Sequence, residues 1–140
     1  MRKTYVVSAK RSAIGSFLGS LTTVKPVDLG ATVVKALLED GKVAPDQVDE
    51  LLCGNVLSAG LGQNIGRQVA LAAGIPESVC AHSVNMVCGS GLRTVMEGVM
   101  SIQTGFNDIV VAGGVESMSG APYLIPANTR TGTKWETSNV

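Results

Sequence analysis

Four short runs of β-forming residues, separated by segments with helical apolar spacing, set narrow limits on what this chain can fold into. Thr4–Ser8 is β-branched and aromatic and reads as a first strand, followed by a glycine-containing loop over Lys10–Leu21. Asp28 stands where an N-cap is expected, and Leu29, Val33, Val34, Leu37 and Leu38 then recur at helical spacing before Gly41. Glu50–Val56 reads as a second strand with Cys53 inside it, and Asn64–Ala73 as a second helix closed by Gly74, with Pro76 just beyond. Val79–Val84 is a third strand, and Leu92, Val95, Met96, Val99 and Ile102 mark a third helix ending at Gly105. Ile109–Ala112 is short and wholly apolar, as expected for a strand in the middle of a parallel sheet. Such alternation is the grammar of an α/β fold with a mainly parallel sheet and right-handed crossovers. It stops after Ser117, where Thr, Asn, Pro and Gly accumulate without periodicity.

Composition removes several functional classes. With 11 Lys plus Arg against 11 Asp plus Glu, and no basic run, there is no electrostatic footprint for nucleic acid. Only 16% of the residues are charged and 45% are hydrophobic. Soluble domains carry about 25% charged residues, so a chain this apolar is expected to bury surface against a further partner or domain. No stretch approaches the roughly 18 consecutive apolar residues of a membrane span, and the apolar segment near the N-terminus is too short for a signal peptide. Cys53, Cys80 and Cys88 are odd in number and lack a CxxC spacing, which favours a reducing, cytoplasmic setting over a disulfide framework. One histidine in the whole chain also argues against a His/Cys metal site.

The chemistry concentrates in Ser83-Val-Asn-Met-Val-Cys-Gly-Ser-Gly-Leu92, which places Cys88 between the end of a buried strand and the start of a helix. Free N–H groups at a helix N-terminus stabilise an anion, and a thiol there can have its pKa lowered to ~3.5–7.5. Gly89 and Gly91 remove side chains that would keep a substrate carbonyl from the same donors. These are two requirements of acyl transfer through a thioester. The plainer reading of Cys88 is a small buried residue in a βα turn. A dinucleotide-binding reading of Gly-Ser-Gly is disfavoured, because Thr94 occupies the place of the third glycine and Asp108 precedes the next strand rather than following it. No GxxxxGK[ST] occurs, which removes a P-loop. His82 lies six residues before Cys88, and an extended strand rising ~3.3 Å per residue puts it on the order of 15–20 Å away, too far for a base. Cys53 and Cys80 are expected in or beside the sheet.

The stretch Val84-Asn-Met-Val-Cys-Gly-Ser-Gly-Leu92, followed by Val110-Val-Ala-Gly-Gly-Val-Glu-Ser-Met-Ser119, closely resembles the thiolases. The resemblance runs from Thr4 to about Leu124 and includes Arg11-Ser-Ala-Ile-Gly-Ser-Phe17, Cys53-Gly-Asn-Val56 and Gln63-Asn-Ile-Gly-Arg-Gln68. Within the family it is most similar to the members that act on acetyl-CoA. Ala13 departs from the proline common in the family.

The resemblance implies that residues 1–118 form an incomplete N-terminal half-domain and residues 119–140 the start of an inserted loop domain. It implies that Cys88 takes the acyl group as a thioester and that its backbone N–H helps bind the thioester oxygen. The activating histidine and second cysteine, in Gly-His-Pro and Cys-x-Gly motifs, and the Asn-Glu-Ala-Phe motif would lie outside this chain, leaving it inactive alone. Substrates would be coenzyme A thioesters, with no resident cofactor and no metal. The implied reaction is the reversible condensation of two acetyl-CoA to acetoacetyl-CoA and CoA. Its rivals are a thiolase for longer 3-ketoacyl chains and a non-catalytic subunit that keeps the fold. The resemblance further implies a homodimer or homotetramer, with Val79–Val84 as the edge strand at the dimer contact. That strand lacks the prolines and most of the charges that protect an edge.

Overall fold

The computed structural model describes residues 2–127 and 129. The element order is α1 (Pro26–Gly41), a 3₁₀ turn at Pro45–Gln47, β1 (Glu50–Gly54), α2 (Ile65–Ala73), β2 (Cys80–Val84), α3 (Ser90–Thr104) and β3 (Val110–Gly114). The strands form one parallel sheet in the order β2-β1-β3, with Leu52 opposite His82 on one side and Ala112 on the other. The expected α/β class with a parallel sheet is therefore what the chain adopts.

Helix boundaries follow local chemistry. α1 opens with Pro26, whose fixed φ suits the first helical position; Lys25 is the cap and Asp28 lies within the first turn. The expectation of Asp28 as N-cap is corrected on this point. Asn64 does cap α2, its side chain accepting from the Arg67 N–H at 3.1 Å, and Gly74 ends the helix in the left-handed conformation.

β1 is the buried centre of the sheet. Leu51 and Cys53 pack with Ala31, Val34 and Leu38 of α1, Ile65, Val69 and Ala73 of α2, and Val111 and Val115 around β3. Each large side chain in such a core contributes roughly 1.5–3 kcal/mol through burial. α3 covers the opposite face, and here the apolar pattern misleads. Ser90, Thr94 and Gly98 are its buried residues, while Leu92, Val95, Met96 and Met100 are exposed. Small residues face the sheet because the helix lies close to it: a Cβ on Gly98 would stand 3.2 Å from Val110 Cγ1. The apolar stripe therefore points outward.

Two strand expectations are also corrected. Val110–Gly114 is an edge of the sheet among the described residues, not its middle, and it runs two residues further than its apolar stretch. Thr4–Ser8 is not a strand: it carries no ladder hydrogen bonds, and Tyr5, Val6 and Val7 are exposed. β propensity does not by itself make a strand, which needs ladder hydrogen bonds to a neighbouring edge. A groove of about 690 Å³ is instead bordered by this segment, β3 and the inner sides of α1 and α3. The segment is tethered at its ends by Arg2 to Asp108 at 2.7 Å and by Ser8 and Lys10 to Asp40 at 2.7 and 2.8 Å. The hydrogen bond from Lys10, then that from Ser8, holds the Asp40 carboxyl below its ordinary value. Past β3 the described chain has no strand or α-helix, and residues 128 and 130–140 of the expected loop-domain start lie outside the described residues.

Candidate functional site

The C-terminal ends of parallel strands are where open α/β sheets assemble their sites. Here β1 and β3 both end in glycine, and α3 begins directly against them. A Cβ on Gly54 would lie 2.6 Å from the Gly91 nitrogen and 2.7 Å from the Ser90 carbonyl carbon. Glycine at this position lets the first turn of α3 rest on the strand end. Thr94, fully buried, fastens the same turn by a hydroxyl placed 2.9 Å from the Gly113 carbonyl oxygen and 2.7 Å from that of Gly91. Thr94, standing where a dinucleotide fingerprint has its third glycine, is thus a buried, hydrogen-bonded part of the helix–sheet contact.

Cys88 is exposed, one residue before the Gly89 cap of α3. The strand leading to it is not buried as expected: Cys80, His82 and Ser83 of β2 are exposed, because β2 is the other edge of the sheet. Between strand and cysteine the chain turns sharply at Val87, whose φ of 50° is left-handed. For a β-branched residue that is a genuine outlier, and the left-handed conformation costs roughly 1–2 kcal/mol. Gly91 has nothing within 4 Å of its virtual Cβ, so space is open beside the helix start.

The other two thiols behave differently. Cys80 is exposed on the edge strand. Cys53 is buried; burial, helped by the nearby Glu116 carboxylate and opposed by a hydrogen bond from the Val115 backbone, pushes its thiol from 9.0 up to about 11. It is a core residue, not a nucleophile. Because the folded state keeps this proton longer than the unfolded chain does, Cys53 lowers stability as pH rises from 9.0 through about 11. Accordingly, iodoacetamide at neutral pH should leave Cys53 unmodified until denaturant unfolds the protein. Mass mapping of the labelled cysteines checks this, and modification of native Cys53 at the rate of Cys80 would contradict it.

His82 turns its ring toward the start of β1, with Nδ1 3.5 Å from Glu50 Oε1, while the Asn107 amide donates to the other Glu50 oxygen at 2.7 Å. Glu50 lies at the strand's beginning and Cys88 follows the opposite end of β2. The fold thus engages His82 away from the cysteine turn.

Several residues at this end of the sheet give no signal in the spacing alone. Glu116 accepts from the backbone N–H groups of Val56 and Leu57 at 2.9 and 3.1 Å and from the Asn55 amide at 3.0 Å. This clasp ties the chain leaving β3 to the chain leaving β1. Gln68 donates to the Leu61 and Gln63 carbonyls, and Arg67 donates to those of Glu77 and Val79. The Gln63–Gln68 segment is therefore scaffolding that fixes the loop before α2 and the entry to β2. A virtual Cβ on Gly66 falls 2.5 Å from the His82 carbonyl oxygen, so α2 packs directly on β2.

The family profile described as "Thiolase, N-terminal domain" matches residues 4–140. The chain belongs to the thiolase family. The acetyl-CoA acetyltransferase of Escherichia coli K12 is 52% identical over 132 residues, covering 94% of this chain and 34% of that protein. The cytosolic acetyl-CoA acetyltransferase of Rattus norvegicus is 53% identical over 129 residues, covering 92% of this chain and 32% of that protein. Among solved structures, the Acat5 thiolase from Ascaris suum in complex with coenzyme A matches with a TM-score of 0.87 and 40% identity, over 97% of this chain and 34% of that one. The chain spans about a third of the length of the curated relatives it matches. No described helix of this thiolase segment is long and apolar enough to cross a membrane.

Proposed function

We propose that this segment supplies the nucleophile of a thiolase that condenses two acetyl-CoA molecules to acetoacetyl-CoA and CoA, reversibly, with Cys88 carrying the acetyl group. The observation that carries the reading is an exposed cysteine at the start of α3, in a chain 52% identical to a protein named acetyl-CoA acetyltransferase. The Cys88 sulfur attacks the thioester carbonyl; the bond from that carbonyl to the CoA sulfur breaks, and CoA leaves and takes up a proton. A second acetyl-CoA, deprotonated at its methyl carbon, then forms a C–C bond to the acetyl carbonyl and releases the Cys88 thiolate. The Cys88 backbone N–H assists by binding the thioester oxygen as negative charge develops there. His82 is not the base for the methyl proton in this reading, because its ring turns toward Glu50 at the start of β1 and away from the cysteine turn.

The test uses a polypeptide of the relatives' length that carries this segment. Incubated with labelled acetyl-CoA, it should yield an acetylated peptide containing Cys88 and then acetoacetyl-CoA. Acetylation elsewhere, or none, sinks the proposal. Faster thiolysis of long 3-ketoacyl-CoA than of acetoacetyl-CoA would favour the longer-chain reading instead.

In this reading residues 1–118 are the half-domain and 119–140 begin a loop domain, the setting is a reducing cytoplasm, and the enzyme is a homodimer or homotetramer joined through β2. Support for assembly comes from the surface. β2 is an edge strand, Leu92, Val95 and Met96 are exposed on α3, and Tyr5, Val6, Ile14 and Phe17 are exposed along the N-terminal segment. The 140-residue polypeptide on its own is therefore expected to self-associate at about tens of micromolar, the range where such edges and patches aggregate. Sedimentation velocity checks it; a soluble monomer at that concentration is the contrary result.

A further inference from the structure

We infer that Ser90 is a positioning residue: its buried hydroxyl keeps Val87 in the left-handed backbone conformation and thereby fixes where Cys88 stands. This rests on the reading of Cys88 as the nucleophile. Val87 immediately precedes Cys88, so its φ decides the direction in which the chain delivers the cysteine. The φ of 50° is unfavourable for a β-branched residue, and the Val87 side chain is 66% exposed, so its own packing offsets little of the strain. Something else must determine the conformation.

The hydrogen bonds around the turn identify what does. Ser90 Oγ accepts from the Met86 N–H at 2.8 Å and donates to the Val87 carbonyl at 2.6 Å, bracketing the strained residue from both sides. Asn85 Oδ1 accepts from the Val87 N–H at 3.0 Å. The Gly89 and Ser90 N–H groups complete the turn, donating to the Met86 and Val87 carbonyls, each at 3.1 Å. Among the side chains in this set Ser90 alone is buried, at 4% exposed, and it stands on the first turn of α3 that Gly54 seats against the sheet. The serine therefore refers the turn to the helix and the sheet beneath it, whereas Asn85 is exposed.

A helix-start serine with no role beyond local stability would have the same hydrogen bonds, and the two roles separate in a double-mutant cycle with Val87→Gly. Glycine adopts positive φ without strain, so in that background the turn no longer needs the clamp. In a polypeptide of the relatives' length, Ser90→Ala is expected to slow Cys88 alkylation by iodoacetamide roughly tenfold, the order that follows from losing a buried hydroxyl's hydrogen bonds. kcat for acetyl transfer should fall in parallel, with KM for acetyl-CoA within about twofold. Val87→Gly/Ser90→Ala should then match Val87→Gly within about threefold on both measures. An unchanged rate in Ser90→Ala overturns the inference, as does an equal loss in both backgrounds. If Ser90→Ala alone does not fold, the comparison of Val87→Gly with the double variant decides by itself, a roughly tenfold drop being the contrary result. Failure of the underlying reading is distinguishable: wild-type Cys88 would then alkylate no faster than Cys80 and would take no acetyl group, and the inference would fall with it.

Discussion

Replacing Cys88 by serine in a polypeptide of the relatives' length should abolish acetyl transfer, lowering turnover by at least about three orders of magnitude while leaving the fold intact. An alkoxide forms far less readily than a thiolate, and the side chain is exposed at the turn, so the substitution removes the nucleophile without disturbing packing. Circular dichroism and the denaturation midpoint should match wild type. His82→Gln is the control: its Nδ1 lies 3.5 Å from Glu50 at the start of β1, away from the cysteine turn, so turnover should stay within a few-fold, against the ~10²–10⁴ lost with a general base. Near-normal turnover in Cys88→Ser would end the acyl-enzyme proposal, and a hundredfold loss in His82→Gln would overturn the assignment of His82 as a bystander.

Much of this arrangement is legible in the sequence because period and punctuation act locally. Asn64 and Gly74 bound α2 by the capping chemistry of those residue types, and Gly105 closes α3 in the same way. Cys88 is placed by its neighbours, a strand before and glycines after. What escapes the sequence depends on partners distant along the chain. Thr4–Ser8 has strand composition but forms no ladder with the β3 edge across the groove, so its propensity alone does not make it a strand. The apolar spacing of α3 marks a face correctly, yet not which surface that face meets; closeness to the sheet selects Ser90, Thr94 and Gly98 for the inner side. The Asn55–Glu116 clasp joins residues 61 apart and leaves no periodic trace. Val87 is harder still, since nothing in a valine announces positive φ.

Gly54→Ala tests whether the seating of α3 is what makes the cysteine turn possible. The added methyl would lie 2.6 and 2.7 Å from backbone atoms of Gly91 and Ser90, and no rotamer change relieves a clash with main chain. Either β1 or the first turn of α3 must move, although β1 is the buried centre of the sheet and Thr94 binds that turn to the Gly113 carbonyl. The expected cost is about 3 kcal/mol, the upper end for overpacking, read from the denaturation midpoint. Displacing the helix start by even about 1 Å carries Ser90 and Cys88 with it, so acetyl transfer should fall on the order of a hundredfold. Gly113→Ala is the matched comparison on the neighbouring strand: nothing lies within 4 Å of its virtual Cβ, so stability should change little. Equal effects of the two substitutions would mean that the close approach at Gly54 does not set the position of α3. A destabilised Gly54→Ala with full turnover would mean that the nucleophile's placement does not depend on it.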